Sequence, residues 1–167
     1  MIDIELWAWW GDRMTGYHLA ELNTAILKHP LDDPRMAGFT SMLEPINALA
    51  ERSLGYLWRL VDDSGVDATS MRPLGENVIV NLSVWETREA FWNYVYRSGH
   101  LEFLRRRSDW FERPRDDMIV LWWIPAGQTP TLDDALARLQ ALRANGPSPL
   151  AFSLRENYSA EEAQAFA

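Results

Sequence analysis

The sequence predicts an α+β fold, a four-stranded sheet crossed by helices in the order β-α-β-β-α-α-β, with one more helix at the C-terminal end. Three observations predict it. NVIVNLSVW (77–85) and DMIVLWWIP (117–125) are short, β-branched and aromatic, as strands are. Apolar residues recur with helical spacing through 36–54, 91–111 and 132–142. Gly, Pro, Ser and Asp clusters separate these runs. The 167 residues suffice for one domain with a real core.

Residues 1–16 read as an extension carrying Trp7, Trp9 and Trp10, which could dock on the body or on a second subunit. Gly16 precedes YHLAELN, the first strand. Lys28–Pro34 is a loop in which Asp33 suits the N-cap and Pro34 the first helical position. Met36, Phe39, Leu43, Ile46, Ala50 and Leu54 then define a helix of roughly five turns, with a kink expected at Pro45 and a stop at Gly55. YLWRLVDD (56–63) is strand two, and a polar connection leads to strand three at 77–85.

Thr87 can cap a helix that turns Phe91, Tyr94 and Val95 inward. Ser98-Gly99 breaks it, and a second helix follows. On that helix His100, Phe103, Leu104, Arg107 and Phe111 fall on one face, expected to pack inward, while Arg105 and Arg106 point elsewhere. Strand four (117–125) is apolar on both faces, with Trp122 and Trp123 directed opposite ways. Thr131 and Asp134 resemble a capping box before the Leu132, Leu136, Leu139, Leu142 stripe of a last helix, which ends at Gly146-Pro147. In the tail, FSL (152–154) could add an edge strand, and the last ten residues are expected to be loose.

This order is the split βαβ, ferredoxin-like pattern with a doubled second crossover helix. The extension (1–16), the core (17–125) and the C-terminal helix with its tail (126–167) are read as parts of one domain. Along strand three, Val78, Val80, Leu82 and Val84 should lie under the helices, and Ile79, Asn81, Ser83 and Trp85 on the opposite face. A sheet apolar on both sides needs a second cover. A symmetric homodimer stacking two sheets into an α/β barrel would supply it.

Composition excludes several function classes. The net charge of −8 lacks the electrostatic footprint of a nucleic-acid binder. No cysteine is present, so disulfides, thiolate metal sites and a Cys nucleophile are out. No apolar run approaches a membrane span or a signal peptide, which reads as a soluble, cytoplasmic protein. The three histidines show no short metal-ligand spacing, and neither a phosphate loop after a strand nor Gly-x-Ser-x-Gly occurs. No metal site is expected. Nine tryptophans point to a Trp-rich core, an interface or an aromatic pocket.

The candidate site centres on the segment YVYRSGHLEFLRRRSDWF (94–111). His100, in the first turn of its helix, should be neutral near pH 7 because the helix dipole disfavours imidazolium. A neutral His can act as general base or ligate haem iron. Arg107 could bind a carboxylate or enolate, or pair with Asp62, Asp63 or Asp109. Tyr94 could supply a phenol proton or simply fill the core. Asn81 and Ser83 could hydrogen-bond a ligand, and Trp58, Trp85, Trp122, Phe103 and Phe111 could line its pocket.

HLAELNTAILKHPLDDPRMAGF, VIVNLSVWETREAFWNYVYRSGHLEFLRRRSDWF and VLWWIPAGQTPTLDDALARLQALRANGPSPLAF resemble a bacterial family of domains of unknown function, DUF3291, over about His18 to Phe152. Pro45, Gln128 where members commonly have histidine, and the N-terminal Trp run depart from its pattern. The resemblance implies the dimeric α/β barrel shared with antibiotic-biosynthesis monooxygenases and some haem-handling proteins. It implies a hydrophobic, polyketide-like small molecule as ligand. The resulting expectation is a biosynthetic tailoring enzyme without metal or organic cofactor, of cyclase, dehydratase or isomerase type or a cofactor-independent oxygenase. A haem-binding protein with His100 as axial ligand, and a non-catalytic carrier or sensor, stay open.

Overall fold

The computed structural model describes residues 16–167, so the Trp run at 7–10 lies outside the described residues. Four strands, β1 (Tyr17–Ile26), β2 (Tyr56–Arg59), β3 (Val78–Trp85) and β4 (Ile119–Pro125), form one sheet. Its order is β2-β3-β1-β4, antiparallel throughout. Six α-helices connect and cover it: α1 (Ala37–Glu51), α2 (Arg88–Arg97), α3 (His100–Arg105), α4 (Arg107–Trp110), α5 (Leu132–Asn145) and α6 (Ala160–Phe166). The core is therefore the expected ferredoxin-like βαββαβ arrangement.

Local chemistry accounts for most boundaries. Asp33 accepts from Arg35 N and caps a short 3-10 turn, Pro34–Met36, that leads into α1. Pro45 lies inside α1. The helix ends at Glu51, short of Leu54, which is 84% exposed instead of continuing the apolar stripe. Gly55 then turns the chain at φ +81°, where a Cβ would come within 2.5 Å of Ala90 Cβ. Thr87 accepts from Ala90 N at the start of α2, and Thr131 from Asp134 N at the start of α5.

The two sheet faces are covered by different helices, and the assignment differs from expectation. Ala20, Leu22, Val80, Leu82, Val84, Val120 and Trp122 pack under Ala135, Leu139 and Leu142 of α5. Leu19, Trp85, Leu121 and Trp123 pack with Phe91 and Val95 of α2, and Ile79 with Phe39 of α1 and Trp110 of α4. So α1–α4 take the Ile79/Ser83/Trp85 face, and α5 takes the Val80/Leu82/Val84 face. Trp122 and Trp123 do point opposite ways. The face expected to need a second copy, that of Ile79, Ser83 and Trp85, is covered by α1–α4 of the same chain, and α5 covers the other, so an uncovered sheet is no longer a reason for a dimer.

The tail is built in as well. Phe152, fully buried, pairs with Leu121 on the β4 edge through two backbone hydrogen bonds of 2.7 and 3.0 Å. Trp123 Nε1 donates to Tyr158 O at 2.9 Å. The last ten residues are not loose. Ser159 and Glu162 form a reciprocal capping box on α6, whose Ala160 and Ala163 are buried against the α2 side of the core. Small residues let this short helix approach closely, a signal too weak to read from sequence. No helix among the described residues is long and apolar enough to cross a membrane.

Candidate functional site

The helix-covered face carries a polar belt between two apolar clusters. On β1 the alternation places Leu19, Glu21 and Asn23 toward α1–α3, and β3 contributes Asn81, Ser83 and Trp85. The ladder sets Glu21 opposite Ser83, Asn23 opposite Asn81 and Leu19 opposite Trp85, so each pair shares the face. Ser83 Oγ donates to Glu21 Oε2 at 2.7 Å and accepts from Trp85 Nε1 at 2.9 Å. Asn23 Nδ2 donates to Glu21 Oε1.

Glu21 is 1% exposed. Burial disfavours its charged form and outweighs the hydrogen bonds from Asn23 and Ser83, which pull the other way, so its pKa is pushed up to about 7. A carboxyl poised there is half protonated at neutral pH and can either give or take a proton. Such shifts concentrate at functional sites, although structural polar networks also produce them.

Tyr94 reaches over this belt from α2. Its ring stacks on Trp85 with centroids 5.0 Å apart, and Tyr56 meets Trp85 edge-on at 5.5 Å. Burial first, and then the nearby Glu21 charge, raise the Tyr94 pKa, so its hydroxyl stays a proton donor. Its one acceptor among the described residues, Ile46 O, is 3.5 Å away, a long contact that leaves the hydroxyl weakly held.

His100 follows, its ring 4.7 Å from that of Tyr94 and 5.6 Å from Phe103. Nδ1 lies 3.3 Å from Val95 O. A carbonyl can only accept, so Nδ1 carries the proton and Nε2 keeps its lone pair. The His100 pKa is lowered, as expected, but the cause is burial, offset in part by Val95 O, rather than the dipole of the six-residue α3.

The structure thus brings His100, Tyr94, Ser83, Trp85 and Phe103 together. Asn81 shares their face and is exposed, which marks where the helix layer stops short. Other expected members are elsewhere. The helix expected through Phe111 breaks at Arg106, so the seven-residue spacing from His100 to Arg107 does not hold and Arg107 is exposed. Phe111 leaves α4 in extended backbone and packs edge-on against Phe39 in the neighbouring cluster. Trp58 and Trp122 lie on the opposite sheet face, under α5: a bulge between Tyr56 and Trp58 puts Trp58 opposite Val84, and Trp122 pairs with Ala20 of that face.

Glu21, Asn23 and Tyr56 are site residues that the sequence reading missed. The available signal was LAELN, where a carboxylate occupies the middle of a strand between apolar neighbours.

His100 with a free Nε2 is a possible donor to haem iron. A haem also brings two carboxylates, however, and the cation expected beside His100, Arg107, faces solvent. The nearby charge is that of Glu21, which is of the wrong sign. The residues present do not fit that group.

A family model described as domain of unknown function (DUF3291) matches residues 18–167. The chain belongs to this DUF3291 family. No curated protein matches it. Among solved structures, this DUF3291 chain is similar to SnoaB, a cofactor-independent oxygenase from Streptomyces nogalater, at 17% identity and TM-score 0.45, over 67% of this chain and 95% of that one. It is similar to the NE2512 protein of unknown function from Nitrosomonas europaea at 10% identity and TM-score 0.45, over 70% and 97%. It is similar to Rv0793 from Mycobacterium tuberculosis at 11% identity and TM-score 0.43, over 68% and 99%.

Proposed function

We propose that the belt around Glu21 binds an uncharged, hydrophobic ketone or polyphenol of polyketide type and catalyses proton transfer on it. The observation that carries this reading is a carboxyl fully buried on a sheet face and held by Ser83 and Asn23, whose pKa burial raises to about 7. Glu21 in its carboxylate form takes a proton from the carbon beside a carbonyl. The Tyr94 hydroxyl donates to the enolate oxygen that forms, and neutral His100 accepts from a substrate hydroxyl. Trp85 and Phe103 supply apolar and aromatic surface beside them. Returning the proton to another carbon isomerises the substrate. When the enolate carbon instead attacks a second carbonyl, the new alkoxide takes the proton from Glu21 and a ring closes. Neither course needs a co-reactant. The same first step would serve a cofactor-independent oxygenation, with dioxygen as co-reactant and water as co-product.

The test is hydrogen–deuterium exchange at the α-carbon of 2-tetralone in D2O, followed by NMR. The full chain should accelerate exchange, and Glu21→Gln should lose about 10²–10⁴-fold of that acceleration. Equal exchange in both proteins would remove the proposal. Saturable binding of the ketone without exchange would leave a carrier.

A further inference from the structure

We propose a second binding site on the outer side of α2, for a small aromatic carboxylate. A groove of about 260 Å³ lies there, lined by Arg88, Glu89, Trp92, Asn93, Arg97 and Asn157. Drug-sized ligands occupy roughly 300–1,000 Å³, so this groove suits a one-ring molecule. It shares no lining residue with the Glu21 belt.

The groove is built from donors and an aromatic ring. Arg88 Nη2 is anchored on Leu154 O at 3.0 Å and Glu156 O at 3.1 Å, and its guanidinium lies 5.3 Å from the Trp92 ring centroid. This anchoring fixes the group without neutralising it, since both partners are neutral carbonyls. Arg97 is exposed and makes no ion pair among the described residues. The two guanidinium groups face one carboxylate, Glu89, in a chain of net charge −8.

Unmet hydrogen bonding collects at the same place. Of the three buried side-chain atoms without a partner among the described residues, two belong to residues that line this groove: Arg88 Nε and Asn93 Oδ1. A buried donor or acceptor left unmade costs about 1–3 kcal/mol, so two in one groove are unexpected in a wall that serves packing alone. A carboxylate between the arginines would accept from Arg97 and from the free side of Arg88. A small turn of the Asn93 amide would let a ring hydroxyl meet Oδ1, and the ring itself would lie on Trp92.

Salicylate (2-hydroxybenzoate) is the probe, because it joins a carboxylate, an adjacent hydroxyl and one ring. The experiment is an NMR titration of the Trp92 indole N–H in the full chain, assigned by Trp92→Phe. A saturable shift is expected, weakened at least about tenfold in Arg97→Ala, the equivalent of losing one charge-assisted hydrogen bond. Asn93→Asp, which adds a like charge, should abolish it, and benzylamine, a cation of similar size, should leave the resonance in place. A shift that fails to saturate, equal affinity in Arg97→Ala, or equal binding of benzylamine would each overturn the site. Arg97 is exposed, so loss of the fold does not confuse the result, and Glu21→Gln should leave the titration unchanged.

Discussion

Glu21 and Ser83 sit directly opposite each other on β1 and β3, and the serine hydroxyl donates to the buried carboxyl at 2.7 Å. The hydrogen bond favours the charged carboxyl and offsets part of its burial, and the consequences can be measured.

The first concerns stability against pH. The Glu21 pKa is about 7 in the fold against 4.5 as its ordinary value. Below pH 4.5 both folded and unfolded states hold the proton and the carboxyl costs nothing extra. As pH rises from 4.5 to 7 the unfolded chain gives up the proton first. Stability therefore falls, by about 3 kcal/mol in all. Glu21→Gln should flatten this slope, so that urea midpoints of the variant and the parent diverge between pH 5 and pH 8. Parallel midpoints would show that the carboxyl is not held protonated.

Ser83→Ala should act in two ways. It removes a hydrogen bond that lowers the Glu21 pKa, so the ¹³C-carboxyl titration of Glu21 should move upward. It also leaves Trp85 Nε1 buried without its acceptor, at a cost of about 1–3 kcal/mol. An unmoved titration would mean that another donor takes the place of Ser83.

His100 should remain neutral to a lower pH than an ordinary imidazole. Burial lowers its pKa, so stability contributed by the neutral form is present above about pH 6.5 and is lost as pH falls through the lowered value. This sign is opposite to that of Glu21, which is why the comparison between variants matters more than either raw profile. Long-range ¹H–¹⁵N spectra should show the proton on Nδ1, and a proton on Nε2 would contradict the Val95 contact.

Phe152→Ala should be among the most damaging single changes in the tail. The side chain is fully buried beside Leu121 and Tyr158, and emptying such a site costs about 3–5 kcal/mol. Guanidinium denaturation measures it. A loss under about 1 kcal/mol would show that the tail is not part of the cooperative core.

Much of this was legible in the chain because periodicity and turn chemistry agree locally. Thr87, Thr131 and the alternation in 78–85 led directly to caps and a strand. What failed had non-local causes. The inward place given to Arg107 assumed one continuous helix, whereas the chain breaks at Arg106 and the next short helix packs Trp110 over Gly38 of α1, its indole 3.4 Å from a Cβ placed on that glycine. Trp58 changed sides through a single bulge. Glu21 was passed over because a strand carboxylate reads as surface until the helices that bury it are in place.

The same sheet margins bear on the protein's behaviour at high concentration. Both ends of a four-stranded sheet offer unpaired amides and carbonyls to any extended segment that drifts against them. Here one margin is taken up at Leu121 by residues of the tail, and the other is only four residues long and thrown out of register between Tyr56 and Trp58. A chain with strands this rich in tryptophan and valine is thereby protected at both margins against templating its own polymer. Loss of the Phe152 anchor would open one of them, so that variant should form thioflavin-positive fibrils under conditions where the parent stays dispersed.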